Sequence, residues 1–132
     1  MWKEQPFSAT LKPWLCVRGS VPALEFYKAA FGATEVYRLG DGDSIVVRLS
    51  VEGAEFWMSD ESPEYGNYSP ESLGGITTRL MLSVADPDAT FQRAIEAGAK
   101  VVRPVEEMYG WRVGRVVDPF GHHWEICREL DH

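Results

Sequence analysis

Asp118-Pro119-Phe120-Gly121-His122-His123-Trp124-Glu125-Ile126-Cys127 reads as a tight turn feeding a short strand. Asp-Pro and Phe-Gly are turn punctuation, and the residues after them alternate as a half-buried strand does. On a strand, side chains 123, 125 and 127 share one face and 122, 124 and 126 the other. Trp124 and Ile126 suit a core, whereas His123, Glu125 and Cys127 are metal-competent ligand types. A Glu beside a His on one strand is more often solvated or salt-bridged, so a metal reading needs further ligands from elsewhere in the chain.

Working outward, the strand closes a pattern that occurs twice. In the first half, residues 11–19 read as a strand, with Leu11, Leu15 and Val17 on one face and Lys12, Trp14 and Cys16 on the other. Ser20 follows as an expected N-cap, with Pro22 in the permissive first turn. Val21, Leu24, Tyr27 and Phe31 then form one helical stripe that ends at Gly32. Strands are expected at 35–39, 44–51 and 54–59, separated by Asp41-Gly42-Asp43 and Glu52-Gly53 turns. Residues 60–76, acidic and carrying Pro63, Pro70, Gly66, Gly74 and Gly75, read as a surface connection. The order then repeats. A strand at 77–84 leads to an Asp86-Pro87 helix start and a helix marked by Phe91, Ala94, Ile95 and Gly98, then strands at 100–105 and 112–117 and the opening stretch.

Offsets support a duplication: Ser20 against Asp86, and Phe31-Gly32-Ala33 against Ala97-Gly98-Ala99, both differ by 66, and Gly53 against Gly121 differs by 68. On that register Trp57 is the repeat partner of Glu125, and residue 12 that of 78 or 79. One domain, 1–132, is expected from module 11–62 and module 77–130 joined by the connection 60–76.

A chain of 132 residues and 14.9 kDa is long enough to bury a core without staples. Thirteen Lys plus Arg against twenty Asp plus Glu give a net charge of −7, which repels phosphate backbones and anionic lipid surfaces. Neither nucleic acid nor membrane is an expected partner. Cys16 and Cys127 show no spacing motif and read as reduced thiols. The first residues lack a signal-peptide apolar region, and a cytoplasmic location is expected.

Strand faces divide consistently. Leu80, Leu82 and Val84 alternate with Arg79, Met81 and Ser83, and Ala54, Phe56 and Met58 with Glu55, Trp57 and Ser59. One set packs on a helix; the other collects Lys12, Trp14, Trp57, Arg79, His123 and Glu125. Any one of these fits the wet side of an antiparallel sheet, but two tryptophans on such a face fit a ligand-binding concavity better.

Two βαβββ modules, the helix text Ala23-Leu24-Glu25-Phe26-Tyr27-Lys28-Ala29-Ala30-Phe31-Gly32-Ala33 and the closing Asp118-Pro119-Phe120-Gly121-His122 resemble the vicinal oxygen chelate superfamily of glyoxalase I, bleomycin-resistance proteins and extradiol dioxygenases. The stretch from Met58 to Glu64, Ser69 to Gly75, Ala97-Gly98-Ala99 and Tyr109-Gly110 look like its PhnB-like branch. The resemblance implies an α+β fold of two tandem βαβββ modules, with curved mixed sheets and helices on the convex face. It implies homodimers too, for which the exposed edges of small sheets give a physical motive. In metal-dependent members, four pocket-facing positions supply His, Glu or Gln. By pattern those positions fall here at Lys12, Trp57, Arg79 and Glu125, of which only Glu125 is a ligand type. His123 joins it at i and i−2, roughly 6 to 7 Å away along the backbone, without a third donor.

The leading expectation is therefore a metal-free protein with no cofactor, which sequesters an aromatic antibiotic or natural product in a pocket built by a homodimer. Trp57 and Trp111 would stack on the ligand, Lys12 or Arg79 would pair with an anion on it, and Asp60, Glu61, Glu64 and Glu71 read first as a solvated acidic loop and second as an attraction for a cationic ligand. The alternative is a metal-dependent glyoxalase-type lyase or isomerase with Glu125 and His123 as ligands, or Glu125 as base. A third reading has Glu125 act as a metal-free acid-base group with Arg79 stabilising an oxyanion.

Overall fold

The computed structural model describes residues 6–130. Its elements run β1 (Trp14–Val17), α1 (Ser20–Phe31), β2 (Thr34–Leu39), β3 (Val46–Val51), β4 (Ala54–Asp60), α2 (Pro70–Leu73), β5 (Leu80–Ser83), α3 (Pro87–Ala97), β6 (Lys100–Met108), β7 (Trp111–Val117) and β8 (His123–Glu129). They form two mixed sheets of four strands, in the orders β1-β4-β3-β2 and β5-β8-β7-β6. In each, the first strand lies parallel to the last strand of its own module and the other pairings are antiparallel. This is the α+β fold of two tandem modules that the resemblance implied. No helix of the described residues is long and apolar enough to cross a membrane.

The duplication is visible residue by residue in the registers. Trp14 pairs with Trp57 and Met81 with Glu125; Trp57 pairs with Arg48 and Glu125 with Arg115. Met81 therefore stands where Trp14 stands, Glu125 where Trp57 stands, and Arg115 where Arg48 stands.

Four expectations need correcting. The first strand starts at Trp14 rather than at residue 11, and Leu11 is 98% exposed rather than part of the core. Pro13 has no amide to give the ladder, although its carbonyl accepts from the Trp57 N–H at 2.8 Å. Ser20 is the first helical residue, not the cap. Gly19 precedes it at φ 88°, and the capping acceptor is Asp60, whose Oδ1 takes the Gly19 and Ser20 N–H groups at 3.0 and 2.9 Å. The Ser20 hydroxyl donates to Asp60 Oδ2 at 2.7 Å and accepts from the Ile45 N–H at 3.0 Å, so this buried serine ties α1 to its own sheet. The connection 60–76 also holds a helical turn, α2, started by Ser69, whose side chain accepts from the Ser72 N–H. Finally, β6 continues three residues beyond 105, with bulges against β7.

The second helix starts as read: Asp86 caps it by accepting from the Ala89 N–H, with Pro87 in the first turn. Helices α1 and α3 pack on each other. Between the modules an aromatic cluster closes the core, with Tyr27, Phe31 and Phe56 all against Trp124 at 4.8 to 5.7 Å between ring centroids. Asp118 is buried at its centre. Its Oδ2 accepts from Tyr27 Oη at 2.6 Å and Trp124 Nε1 at 2.9 Å, while its Oδ1 accepts from the backbone N–H groups of Phe120 and His122. Burial, with Asp118 beside it, pushes the Tyr27 phenol well above its usual range. The turn that delivers β8 is thereby bolted to the helix of the other module. His122 adds a second tie, Nε2 to the Cys16 carbonyl at 2.8 Å.

Candidate functional site

Because the helices and the aromatic cluster occupy the core side of both sheets, the other face of each is left open, and each open face carries one row of side chains across all four strands. In the first module the register sets Trp14, Trp57, Arg48 and Tyr37 side by side. Trp14 and Trp57 stack at 5.1 Å with planes 13° apart, the Arg48 guanidinium lies 5.4 Å from the Trp57 ring centre, and Tyr37 meets Trp57 edge-on at 5.8 Å. These are the geometries in which aromatic and cation–π attraction adds to burial, by about 0.5 to 1.5 kcal/mol per aromatic pair. Trp14 Nε1 donates to Ser59 Oγ at 2.9 Å, which fixes the ring while leaving the residue 55% exposed. Lys12 and Arg48 reach Glu55 at 3.8 and 3.5 Å, outside the stacked pair. Beside Trp14, a cavity of about 670 Å³ continues past Cys16 and Ser59 to Glu61 and Glu64.

The second module's row is Met81, Glu125, Arg115 and Arg103. Glu125 is only 8% exposed, and both its oxygens are engaged: Oε2 accepts from Arg79 Nε at 2.6 Å and Oε1 from a terminal nitrogen of Arg103 at 3.0 Å. The Arg79 hydrogen bond foremost, with the charges of Arg79, Arg103 and Arg115, holds this carboxyl below the usual range despite burial. His123 accepts from Arg115 Nε at its Nδ1, 3.1 Å away, so the neutral ring carries its proton on Nε2. Burial first, then the Arg115 charge, pushes the imidazole pKa down.

The expected site residues thus fall into two groups. Lys12, Trp14 and Trp57 share the first open face, and Arg79, His123 and Glu125 the second. Trp111 lies on the second sheet opposite Glu129, beside Arg128, four residues along β7 from Arg115. It stacks with nothing in the first row. Trp57, expected to offer a free face, is flanked by Trp14 and Arg48 from its neighbouring strands, and Trp14 on the edge strand is the more exposed ring. Four residues of these rows went unread in the sequence: Tyr37, Arg48, Arg103 and Arg115. The available signal was the repeat itself, since Arg48 and Arg115 lie 67 positions apart, in step with Trp14 and Met81.

The donor set does not fit a divalent cation. At the four positions that the resemblance implied, Lys12, Trp57, Arg79 and Glu125, stand a lysine, a tryptophan, an arginine and a carboxylate already clamped by two guanidiniums. Cys127, on the Glu125 face by alternation, is fully buried with its thiol toward the Leu82 carbonyl. No group of three or more His, Cys, Asp or Glu converges among the described residues, whereas a catalytic site of this kind uses about three protein ligands.

A family model described as a glyoxalase-like domain matches residues 15–127. The chain belongs to the glyoxalase-like domain family. A protein of Mycobacterium tuberculosis strain H37Rv, itself uncharacterised, is 41% identical over 122 residues, covering 88% of this chain and 72% of that one. Among solved structures, a member of the glyoxalase/bleomycin resistance protein/dioxygenase superfamily from Sphaerobacter thermophilus superposes with a TM-score of 0.72 at 23% identity, over 93% of this chain and 98% of the other. The genomically encoded fosfomycin resistance protein FosX of Listeria monocytogenes does so with a TM-score of 0.69 at 17% identity, over 95% and 96%. The last two likenesses carry the glyoxalase-like fold. A shared fold leaves the chemistry open, and the chemistry rests on the side chains of the two open faces.

Proposed function

We propose that this glyoxalase-like chain is a metal-free small-molecule-binding protein of the resistance type, which sequesters an aromatic ligand in a pocket completed by a second copy. The observation that carries the reading is the row of Trp14, Trp57, Arg48 and Tyr37, an aromatic platform on an open sheet face. A planar ligand stacking on Trp14 extends a stack that already exists, at about 1 to 3 kcal/mol per ring where nucleobase stacking is the guide. The fosfomycin-resistance relative in fold supports the role without naming the ligand. The acidic connection resembles the PhnB-like pattern, while Trp111 departs from the polar residue usual after Tyr-Gly there, which argues against a ligand shared with that branch. A second copy is proposed because Trp14, Tyr37, Leu39, Met81 and Val101 leave apolar surface open on these sheets. The lyase alternative asks Glu125 to serve as ligand or base; two arginines keep that carboxylate charged, coordinated and weakly basic.

Tryptophan fluorescence tests the reading against a panel of planar antibiotics and cofactors. Saturable quenching is expected that survives a chelator and disappears in Trp57→Ala and Trp14→Ala. Turnover of a bound compound would contradict sequestration.

A further inference from the structure

The second open face carries a charge pattern that the aromatic reading leaves unused. Three guanidiniums, from Arg79, Arg103 and Arg115, surround one carboxylate, Glu125, and one imidazole held neutral by its hydrogen bond from Arg115. By register the next acid on this face is Glu106, opposite Val113 and one pleat from Arg115. The row is thus positive inside a chain of net charge −7. Each guanidinium has five N–H donors, yet within the described residues Arg79 spends only Nε, Arg115 only Nε, and Arg103 one terminal nitrogen. Arg103 Nε is buried with no acceptor among the described residues. A groove of about 340 Å³ lined by Thr77, Thr78, Arg79, Met81 and Glu125 opens at the same place.

We propose that this face is an oxyanion site, in which Arg79, Arg103 and Arg115 take the carboxylate or phosphoryl group of a small organic ligand. The planar guanidinium fork suits both groups, and Arg103 and Arg115 stand on adjacent strands directly opposite each other. Glu125 is a positioning residue: its two oxygens hold Arg79 and Arg103 apart and keep either from folding away into solvent. Its repeat partner Trp57 holds the ring platform, so the two modules divide the ligand between them, ring to the first and anion to the second. This rests on the ligand-binding reading above, because the second copy proposed there is what brings an aromatic row and an arginine row around one molecule.

Calorimetry on the full chain with four probes on one ring tests it: 1-naphthoate, 1-naphthyl phosphate, 1-naphthalenemethanol and 1-naphthylmethylammonium. At least one anion is expected to bind about tenfold or more tighter than the alcohol, with the ammonium weakest. Which of the two anions leads assigns the group. Raising salt from about 0.05 to 0.5 M should shrink the gap, and Arg115→Gln should narrow it. The Nε–H resonances of Arg79, Arg103 and Arg115 should shift with the preferred anion and stay put with the alcohol. If the alcohol binds as well as both anions, or the ammonium binds best, or the arginine resonances do not move, the oxyanion site is overturned and ring sequestration stands. If none of the four binds, both fail.

Discussion

The two modules lay the same strands in the same register and put opposite chemistry on them. Where the first has Trp14, Trp57, Arg48 and Tyr37, the second has Met81, Glu125, Arg115 and Arg103. One row is a stack around a cation and the other a fan of cations around a carboxylate. The difference separates what the backbone requires from what the site requires. Register and core alternation survive duplication because a one-residue slip would turn every core side chain to the open face. The open faces carry no such constraint, and there the modules diverge in charge and polarity.

That comparison can be pressed hardest at the turns before the last strand of each module. Glu52, in the first turn, is exposed and reaches only the Ala85 N–H, whereas Asp118, in the second, is buried and accepts four hydrogen bonds. Asp118→Ala strands the Tyr27 hydroxyl and the Trp124 N–H in the core and should cost about 3 to 5 kcal/mol in urea unfolding, with Glu52→Ala below about 0.5. Equal losses would show that the modules are joined elsewhere.

The core face offers a smaller effect. Val47, fully buried on β3, corresponds to Gly114 on β7. A Cβ at Gly114 would lie 2.8 Å from the side chains of Phe91 on α3 and Val105 on β6, which fill that space. Making the modules alike by Gly114→Val should therefore overpack the second and cost about 3 kcal/mol. A neutral outcome would mean that the two cores are interchangeable.

The smallest expected effect is on pH. His123 titrates lower in the folded protein than the usual 6.5, so below that value the unfolded chain takes up the proton first. Stability conferred by the neutral ring is complete above about 6.5 and falls as pH drops through the lowered folded pKa. Glu125, also lowered, acts with the same sign but only below its ordinary value of 4.5. His123→Gln should flatten the upper part of this decline, read by thermal unfolding from about pH 7 to 5. An unchanged slope would remove the Arg115–His123 contact from the account.

Most of the fold was legible because it depends on local signals repeated twice: Asp86-Pro87 starts a helix, Gly32 ends one, Trp124 and Ile126 alternate into a core. Contacts between distant segments were not. Ser20 looked like a cap and is instead held by Asp60, forty positions on. Half of the site was legible for the same reason. Trp14, Trp57, Arg79 and Glu125 could be placed by alternation and repeat. Arg48, Arg103, Arg115 and Tyr37 gain meaning only from the strand beside them, and a bulged β6 hides which of its residues faces Glu125. Trp111 opens β7 opposite Glu129, four residues along the strand from Arg115, a position that only the strand pairing gives.

On the proposed reading Glu125, held by Arg79 and Arg103, is a wall of the pocket and binds no metal ion. Calorimetric titration of chelator-treated protein with cobalt, nickel, zinc and iron, in wild type and Glu125→Ala, tests it most directly. No stoichiometric uptake of any of the four is expected at micromolar concentration, and no difference between the two proteins. One ion bound per chain with micromolar affinity, lost in Glu125→Ala, would contradict it.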